Sequence, residues 1–229
     1  MLIIEDIVLK LDDRRIEELC NLDPQMKKLI YVIGDLSILI RKDHFQSLVT
    51  SIIGQQLSVK AASTINSRVN NLLQNNLNYQ SISCLSDEEL QGVGVSKRKV
   101  TYIRDLVHKV KSKEINLSQV HQLDNNNVIK ILTSVKGIGI WTAEMFLIFS
   151  LGRLNVLSLN DIGIQRSVRW LYGLSAEKDT KKFLAEKSKL WNPYNTIVSI
   201  YLWEAVNRGF VTNYESIDTI LVNKKSNEI

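Results

Sequence analysis

The stretch Leu132-Thr133-Ser134-Val135-Lys136-Gly137-Ile138-Gly139-Ile140-Trp141-Thr142-Ala143, with Asn160-Asp161-Ile162-Gly163-Ile164-Gln165-Arg166 further along, decides how this chain is read. Val128, Ile131, Leu132 and Val135 sit at helical spacing, Gly137-Ile138-Gly139 imposes a tight turn, and Trp141, Met145, Phe146 and Phe149 resume the period. The pattern is helix, hairpin, helix. Glycines at 137 and 139 let the backbone approach another surface closely, and the first N–H groups of the second helix point outward, toward an anion such as a nucleic-acid phosphate. Taken alone, Gly-Ile-Gly is equally the turn of an αα-hairpin inside a helical core.

A chain of 229 residues, 45% of them hydrophobic, can bury one sizeable core or two small helical lobes sharing a cleft, which excludes a disordered or fibrous protein. Its 29 basic residues outnumber 24 acidic ones for a net charge of +5. With a pI near 9.1, the balance suits a polyanionic partner without requiring one. Cys20 and Cys84 are far apart and outside any Cys-x-x-Cys or Cys/His cluster, so neither a disulfide framework nor a zinc site is indicated. An iron–sulfur cluster held by four thiolates cannot be assembled from two. His44, His108 and His121 show no metal or triad spacing. The Met1-Leu2-Ile3-Ile4 start has acidic residues close behind it and no basic n-region, and no apolar run reaches membrane-spanning length. The expectation is a cytoplasmic protein, beside the nucleoid in a prokaryote, with no membrane partner and, lacking heptads, a monomer.

Two prolines and long 3.6-residue periods predict an all-α fold. Asp43 is placed to cap a helix carrying Phe45, Leu48, Val49, Ile52 and Ile53, and Ser58 one carrying Ala61, Ala62, Ile65, Val69 and Leu72. Ser86-Asp87-Glu88-Glu89 fits a capping box, and Ser96 caps a helix with Val100, Ile103, Leu106, Val107 and Val110. Asn192-Pro193 opens a later helix with Pro in its first turn, ending near Arg208-Gly209. The polar stretches Gln74 to Ser83 and His121 to Asn127 read as connectors. Asp161, after Val156-Leu157-Ser158-Leu159, begins a helix marked by Ile162, Ile164, Val168 and Leu171. It is there either as an N-cap or as a functional carboxylate, and the two roles are compatible.

From roughly Pro24 to Arg208 the combination of hairpin and downstream Asp resembles the helix-hairpin-helix/GPD superfamily of DNA glycosylases. The Trp141-Thr142-Ala143 that follows the hairpin is similar to the alkylpurine branch, that of DNA-3-methyladenine glycosylase II. The resemblance implies one glycosylase unit of two helical lobes flanking a cleft. One lobe runs roughly 45–150 and includes the hairpin 132–143; the other is built from 1–44 plus 151–229. It implies a partner, damaged double-stranded DNA, and hydrolysis of an N-glycosidic bond in base excision repair. Asp161 would be the catalytic carboxylate, stabilising positive charge on the sugar and orienting water. Enzymes of the superfamily that also cut the backbone carry Lys where this chain has Trp141, and an indole cannot form a Schiff base, so no lyase activity is expected.

In the same way Trp141, Trp203 and Met145 are expected in the base pocket, where indoles attract a cationic alkylated purine. Trp203, in Leu202-Trp203-Glu204, is also readable as a core aromatic. Met145 stands where some relatives have Tyr. Ser51-Ile52-Ile53-Gly54-Gln55-Gln56-Leu57-Ser58 looks like the turn that wedges the duplex, with Gln56, and Gln55 beside it, as the wedge. Gly137, Gly139, Lys136 and Thr142 would meet a DNA phosphate, although Lys136 is equally a solvated turn residue. Thr133, Val135 and Ile138 would hold a structural monovalent cation, Na+ or K+, through main-chain carbonyls with DNA bound; no other cofactor is implied. Lys97-Arg98-Lys99 with Arg104, and Arg166 with Arg169, could reach phosphate or position Asp161, or be solvated helix faces.

Longer bacterial relatives carry an N-terminal β-rich domain, whereas about forty residues precede Phe45 here. Two alternatives stay open. One is a glycosylase for oxidised or deaminated bases, which needs polar pocket groups. The other is a non-catalytic helix-hairpin-helix DNA-binding module, which needs the hairpin and not Asp161.

Overall fold

The computed structural model describes residues 6–227; the Met1-Leu2-Ile3-Ile4 start lies outside the described residues. In chain order the elements are β1 (Ile7–Leu9), α1 (Arg14–Leu22), α2 (Pro24–Ile33), β2 (Leu36–Ile38), α3 (His44–Gly54), α4 (Val59–Leu72), α5 (Tyr79–Cys84), α6 (Asp87–Gly92) and α7 (Lys97–Lys111). They continue, after a 3₁₀ turn at Val120–Gln122, with α8 (Asn125–Thr133), α9 (Ile140–Phe149), α10 (Ile162–Leu171), α11 (Thr180–Trp191), α12 (Asn195–Asn207), α13 (Phe210–Asn213) and α14 (Ile217–Asn227). The fold is all-α but for one small sheet. None of the described helices is long and apolar enough to cross a membrane.

The chain forms two compact units, one of Met1–Ile40 with Gly152–Ile229 and one of Arg41–Leu151. In the first, α12 is the central helix: Thr196, Ile197, Val198, Ser199, Tyr201 and Leu202 are all buried. A helix apolar on every side is one surrounded by others, and here α2, α10, α11 and α13 pack around it. Antiparallel β1 and β2 pair Ile7 with Ile38 and Leu9 with Leu36, burying Ile7 and Leu9 while Val8 faces out. A polar knot ties the segments that are distant in sequence. Asp23 caps α2 through the amides of Gln25 and Met26 and is 1% exposed. Its other oxygen accepts from the Tyr172 hydroxyl (2.7 Å), Lys187 (2.8 Å) and the Trp191 indole (2.9 Å).

In the second unit α3 buries Phe45, Leu48, Val49, Ile52 and Ile53 against α4, α7 and α9, and α8 packs on α9. Asp43, Ser58, Ser86 and Ser96 cap α3, α4, α6 and α7 as their positions predict.

Several expectations change. The connector Gln74 to Ser83 contains most of α5, started by a capping box in which Asn78 bonds the Ser81 amide and Ser81 bonds back. Likewise α8 begins inside His121 to Asn127, because Asp124 accepts from the Asn127 amide. Pro193 is not in the first turn of α12. It precedes the N-cap Tyr194, after a cis Asn192-Pro193 bond. Along α4 only Val69 is fully buried, so its predicted apolar stripe is half open.

Candidate active site

The hairpin connects α8 to α9 as a hydrogen-bonded turn. Val135 accepts from the Ile138 N–H at 3.1 Å, and Gly137 stands third in the turn with φ +79°, where a type II turn requires positive φ. A Cβ on Gly137 would also lie 2.1 Å from the Tyr102 ring. Both backbone conformation and α7 therefore dictate this glycine. Gly139 differs: its φ is −91°, and a Cβ there would meet nothing within 4 Å. It starts α9 with no side-chain cap, so the first N–H groups of that helix present their dipole to the surface.

Beside the hairpin in sequence, Ile140 and Trp141 are exposed, Trp141 to 49%, and Lys136 is exposed. Met145 is partly covered. Trp141 thus lies off the buried side of α9, which is formed by Thr142, Ala143, Phe146, Leu147 and Ile148. Thr142 is 6% exposed, so its hydroxyl is not presented to an anion.

A second turn in the same unit, Gly54-Gln55-Gln56-Leu57, repeats this geometry. Leu57 N–H donates to the Gly54 carbonyl at 3.2 Å, Gln55 has φ −54° and ψ 129°, and Gln56 has φ +57°. These are type II values with glutamine in the glycine position, a left-handed conformation that costs an L-residue about 1–2 kcal/mol. The Gln56 side chain is exposed, with the Arg98 guanidinium 3.4 Å from its Oε1. Gln55 is employed within the protein: its Nε2 donates to the Gly137 carbonyl at 2.7 Å. That contact ties the Gln55 amide to the hairpin, while Gln56, its partner in the expected wedge pair, stays exposed.

The basic run is also corrected. Lys97 and Arg98 are exposed, but Lys99 is 8% exposed and donates to the carbonyls of Ile53 (2.7 Å) and Gln55 (2.8 Å) at the end of α3. Burial, with a smaller push from Arg98, lowers its pKa below the ordinary lysine value. Arg104 is held by Asp87 and by the carbonyls of Ile82 and Leu85. Neither is a phosphate contact. Asp105 accepts from the Lys136 N–H at 2.9 Å.

In the other unit Asp161 is 8% exposed and caps α10, its Oδ1 accepting from the Ile164 N–H at 2.8 Å. Gln165 holds the approach by donating to the Leu159 carbonyl at 2.7 Å. At the second position of α10, Gly163 leaves an opening. A Cβ there would stand 3.1 Å from Asp161 Oδ1 and 3.5 Å from Trp203 Cδ1, so the carboxylate and the indole face the same bare spot. Trp203 is partly exposed, whereas Leu202 beside it is fully buried. Arg169 does not position Asp161, being bound to the carbonyls of Ser175 and Lys178 and to the Thr180 hydroxyl. Arg166 is exposed. Sequence reasoning missed Gly163, although a glycine inside a helical pattern signals a packing or functional reason.

Among the described residues no cluster of three or more His, Cys, Asp or Glu could hold a metal ion.

The sequence matches the model of the HhH-GPD superfamily of base excision DNA repair proteins over residues 49–193, a span that contains both turns, the hairpin and Asp161. It is 31% identical to DNA-3-methyladenine glycosylase 1 of Schizosaccharomyces pombe over 87% of this chain and 90% of that protein. Among solved structures, a DNA-3-methyladenine glycosidase from Bacillus halodurans superimposes with a TM-score of 0.85 at 41% identity, covering 94% of this chain and 99% of that one. The 3-methyladenine DNA glycosylase of S. pombe, solved in complex with abasic DNA, does so with a TM-score of 0.74 at 28% identity, covering 88% and 99%. Likeness of this extent, over the segment that carries the hairpin and the capping aspartate, makes the chain a member of the HhH-GPD superfamily of base excision DNA repair proteins.

Proposed function

We propose that this protein is a monofunctional DNA glycosylase that excises alkylated purines of the 3-methyladenine type from duplex DNA. The observation that carries the reading is the pairing of a largely buried Asp161 carboxylate with the Trp203 indole around the bare face of Gly163. The names of the relatives, 3-methyladenine glycosylases, support the same substrate class.

Alkylation at a purine ring nitrogen makes the base cationic, so the C1′–N bond breaks with its electron pair leaving on a neutral purine. Positive charge then develops on the sugar, where a fixed carboxylate is worth most. Asp161 suits this role because α10 holds its orientation through the Ile164 amide. Water adds to C1′, its proton passes to Asp161 or to solvent, and the product is an abasic site. Trp203 and Trp141 each offer an indole face to a cationic purine. With Trp141 after the hairpin in place of an amine, the sugar meets no Schiff-base nucleophile there, and the strand stays intact.

Gln56 is the residue we assign to the hole left by the departing base, its left-handed backbone projecting an amide that fills space and bonds the orphaned partner. The open space at Gly139 suits close approach of a phosphate, with Lys136 alongside. The carbonyls of Thr133, Val135 and Ile138 are the oxygens that would hold Na+ or K+ next to that phosphate. Val135 shares its carbonyl with the turn bond from Ile138, and a second lone pair remains. Such an ion would supply positive charge to DNA binding, not to bond cleavage.

The test is release of 3-methyladenine and 7-methylguanine from alkylated duplex DNA by wild type and Asp161→Asn, with strand nicking scored before and after hot alkali. Release by wild type alone, with nicks only after alkali, is the expected result. Release by neither protein with DNA binding intact would overturn the reading in favour of a glycosylase for oxidised or deaminated bases or, where those are not released either, of a binding module.

A further inference from the structure

One side of α7 reaches both turns. Lys99, Tyr102 and Asp105 follow one another at intervals of three, so they share a stripe along the helix. Lys99 grips the carbonyls of Ile53 and Gln55, Tyr102 lies under Gly137, and Asp105 binds the Lys136 amide. The turns are also joined directly, Gln55 spanning from one to the Gly137 carbonyl of the other. Lys99 holds the very residue that makes this link.

From these contacts we infer that Lys99, acting through Gln55, is a positioning residue that locks the Gly54–Leu57 turn and the Val135–Ile138 hairpin into one body, so that wedging and phosphate binding occur in a single fixed register. The inference rests on the glycosylase reading for its consequence in catalysis, although the coupling itself is a property of the protein alone.

The physical case is one of cost. A buried ammonium is expensive unless strongly hydrogen-bonded, and Lys99 has two carbonyls and no carboxylate in ion-pair range among the described residues. Its setting at the end of α3 offsets part of that, since the last carbonyls of a helix carry negative charge and lack donors. The turn it holds contains Gln56 in a conformation glycine would adopt freely. A chain selected only for stability would place glycine at 56 and an apolar residue at 99. Strain kept and then held in place is the pattern of a working site.

The experiment compares wild type with Lys99→Met and Gln55→Leu in two measurements. The first is amide hydrogen exchange without DNA, over 54–58 and 133–139. Both variants should speed exchange in both segments, although the segments are far apart in sequence. Faster exchange confined to 54–58 would overturn the coupling whether or not the protein is a glycosylase.

The second is single-turnover release of 7-methylguanine from a fully paired duplex and from one in which the lesion lies opposite an abasic site, where there is no pair to break. We expect each variant to lose tenfold or more on the paired duplex and less than threefold on the unpaired one, with a smaller fluorescence change from 2-aminopurine placed beside the lesion. Equal losses on both duplexes would mark a merely structural role and overturn the proposal, as would no loss on either. Lack of release by wild type on both duplexes would sink the glycosylase reading and leave the exchange measurement to decide the coupling. Gln55→Leu removes a partly exposed amide and keeps the test valid should burying methionine at 99 prevent folding.

Discussion

Asp161 carries two roles on one side chain, and substitutions separate them. As the N-cap of α10 it gives an oxygen to the Ile164 amide, which asparagine does as well, whereas alanine forfeits about 1 kcal/mol. As the proposed catalytic carboxylate its charge is the point, and asparagine has none. Asp161→Asn should therefore melt close to wild type while losing at least a hundredfold in single-turnover excision, and Asp161→Ala should lose activity similarly and melt a few degrees lower. Equal melting of both variants would remove the cap from the account. At Gln56 the two properties run in opposite directions. Replacement by glycine relieves about 1–2 kcal/mol of left-handed backbone against about 0.5–1 kcal/mol of added unfolded-state freedom. We expect a melting temperature held or raised, with excision from paired duplex falling tenfold or more. A lowered melting temperature would show that the Gln56 side chain contributes to the fold.

Among the elements, the hairpin is legible in the sequence because its parts are contiguous: period, Gly-Ile-Gly, period again. The caps at Asp43, Ser58, Ser86 and Ser96 are legible for the same reason, each lying next to the helix it starts. Helix α5 is hidden because its capping box closes with Ser81 instead of Glu or Gln, and strands of three residues are too short to show an alternation. Within Lys97-Arg98-Lys99 nothing distinguishes the buried lysine from its exposed neighbours, since the carbonyls that hold it lie 46 and 44 residues away. The two hairpin glycines look alike in sequence and differ in the structure. Gly137→Ala must push into the Tyr102 ring at a positive φ and should lower both melting temperature and DNA affinity. Gly139→Ala meets open space and should leave melting nearly unchanged while weakening binding. Stable binding by Gly139→Ala would mean that nothing approaches there. Gly163→Ala, at the second position of α10, presses on the Asp161 carboxylate at 3.1 Å. Excision should fall by tenfold or more in a protein that still folds, and normal excision would show that the gap is not used.

At the scale of the molecule, one unit is assembled from two ends of the chain, and Asp23 fastens them. It sits between α1 and α2, and its partners Tyr172, Lys187 and Trp191 all come from the far segment. Sequence gives no sign of this, because an Asp before Pro24 reads only as a helix cap. Burial by itself would raise the Asp23 pKa; hydrogen bonds from Lys187, Tyr172, Trp191 and the Met26 amide outweigh it and hold the carboxyl below its ordinary value. The Tyr172 hydroxyl is pushed upward, by burial first and then by Asp23, and Lys187 lies 4.8 Å from the Tyr172 ring centroid. A group whose pKa is depressed on folding stabilises the protein at all pH values above its unfolded pKa, and that stability drains away as pH falls toward its folded pKa. Denaturation followed from pH 7 to pH 3 should accordingly show wild type losing stability below the ordinary aspartate range. Asp23→Asn has one acceptor oxygen where the carboxylate has two, so it cannot serve both the α2 amides and the Tyr172, Lys187 and Trp191 donors; with the Lys187 charge also left unbalanced, it should be less stable by about 3 kcal/mol at neutral pH and have a flatter acid limb. A variant with the wild-type acid slope would place the acid sensitivity in other carboxylates and leave Asp23 as a cap alone.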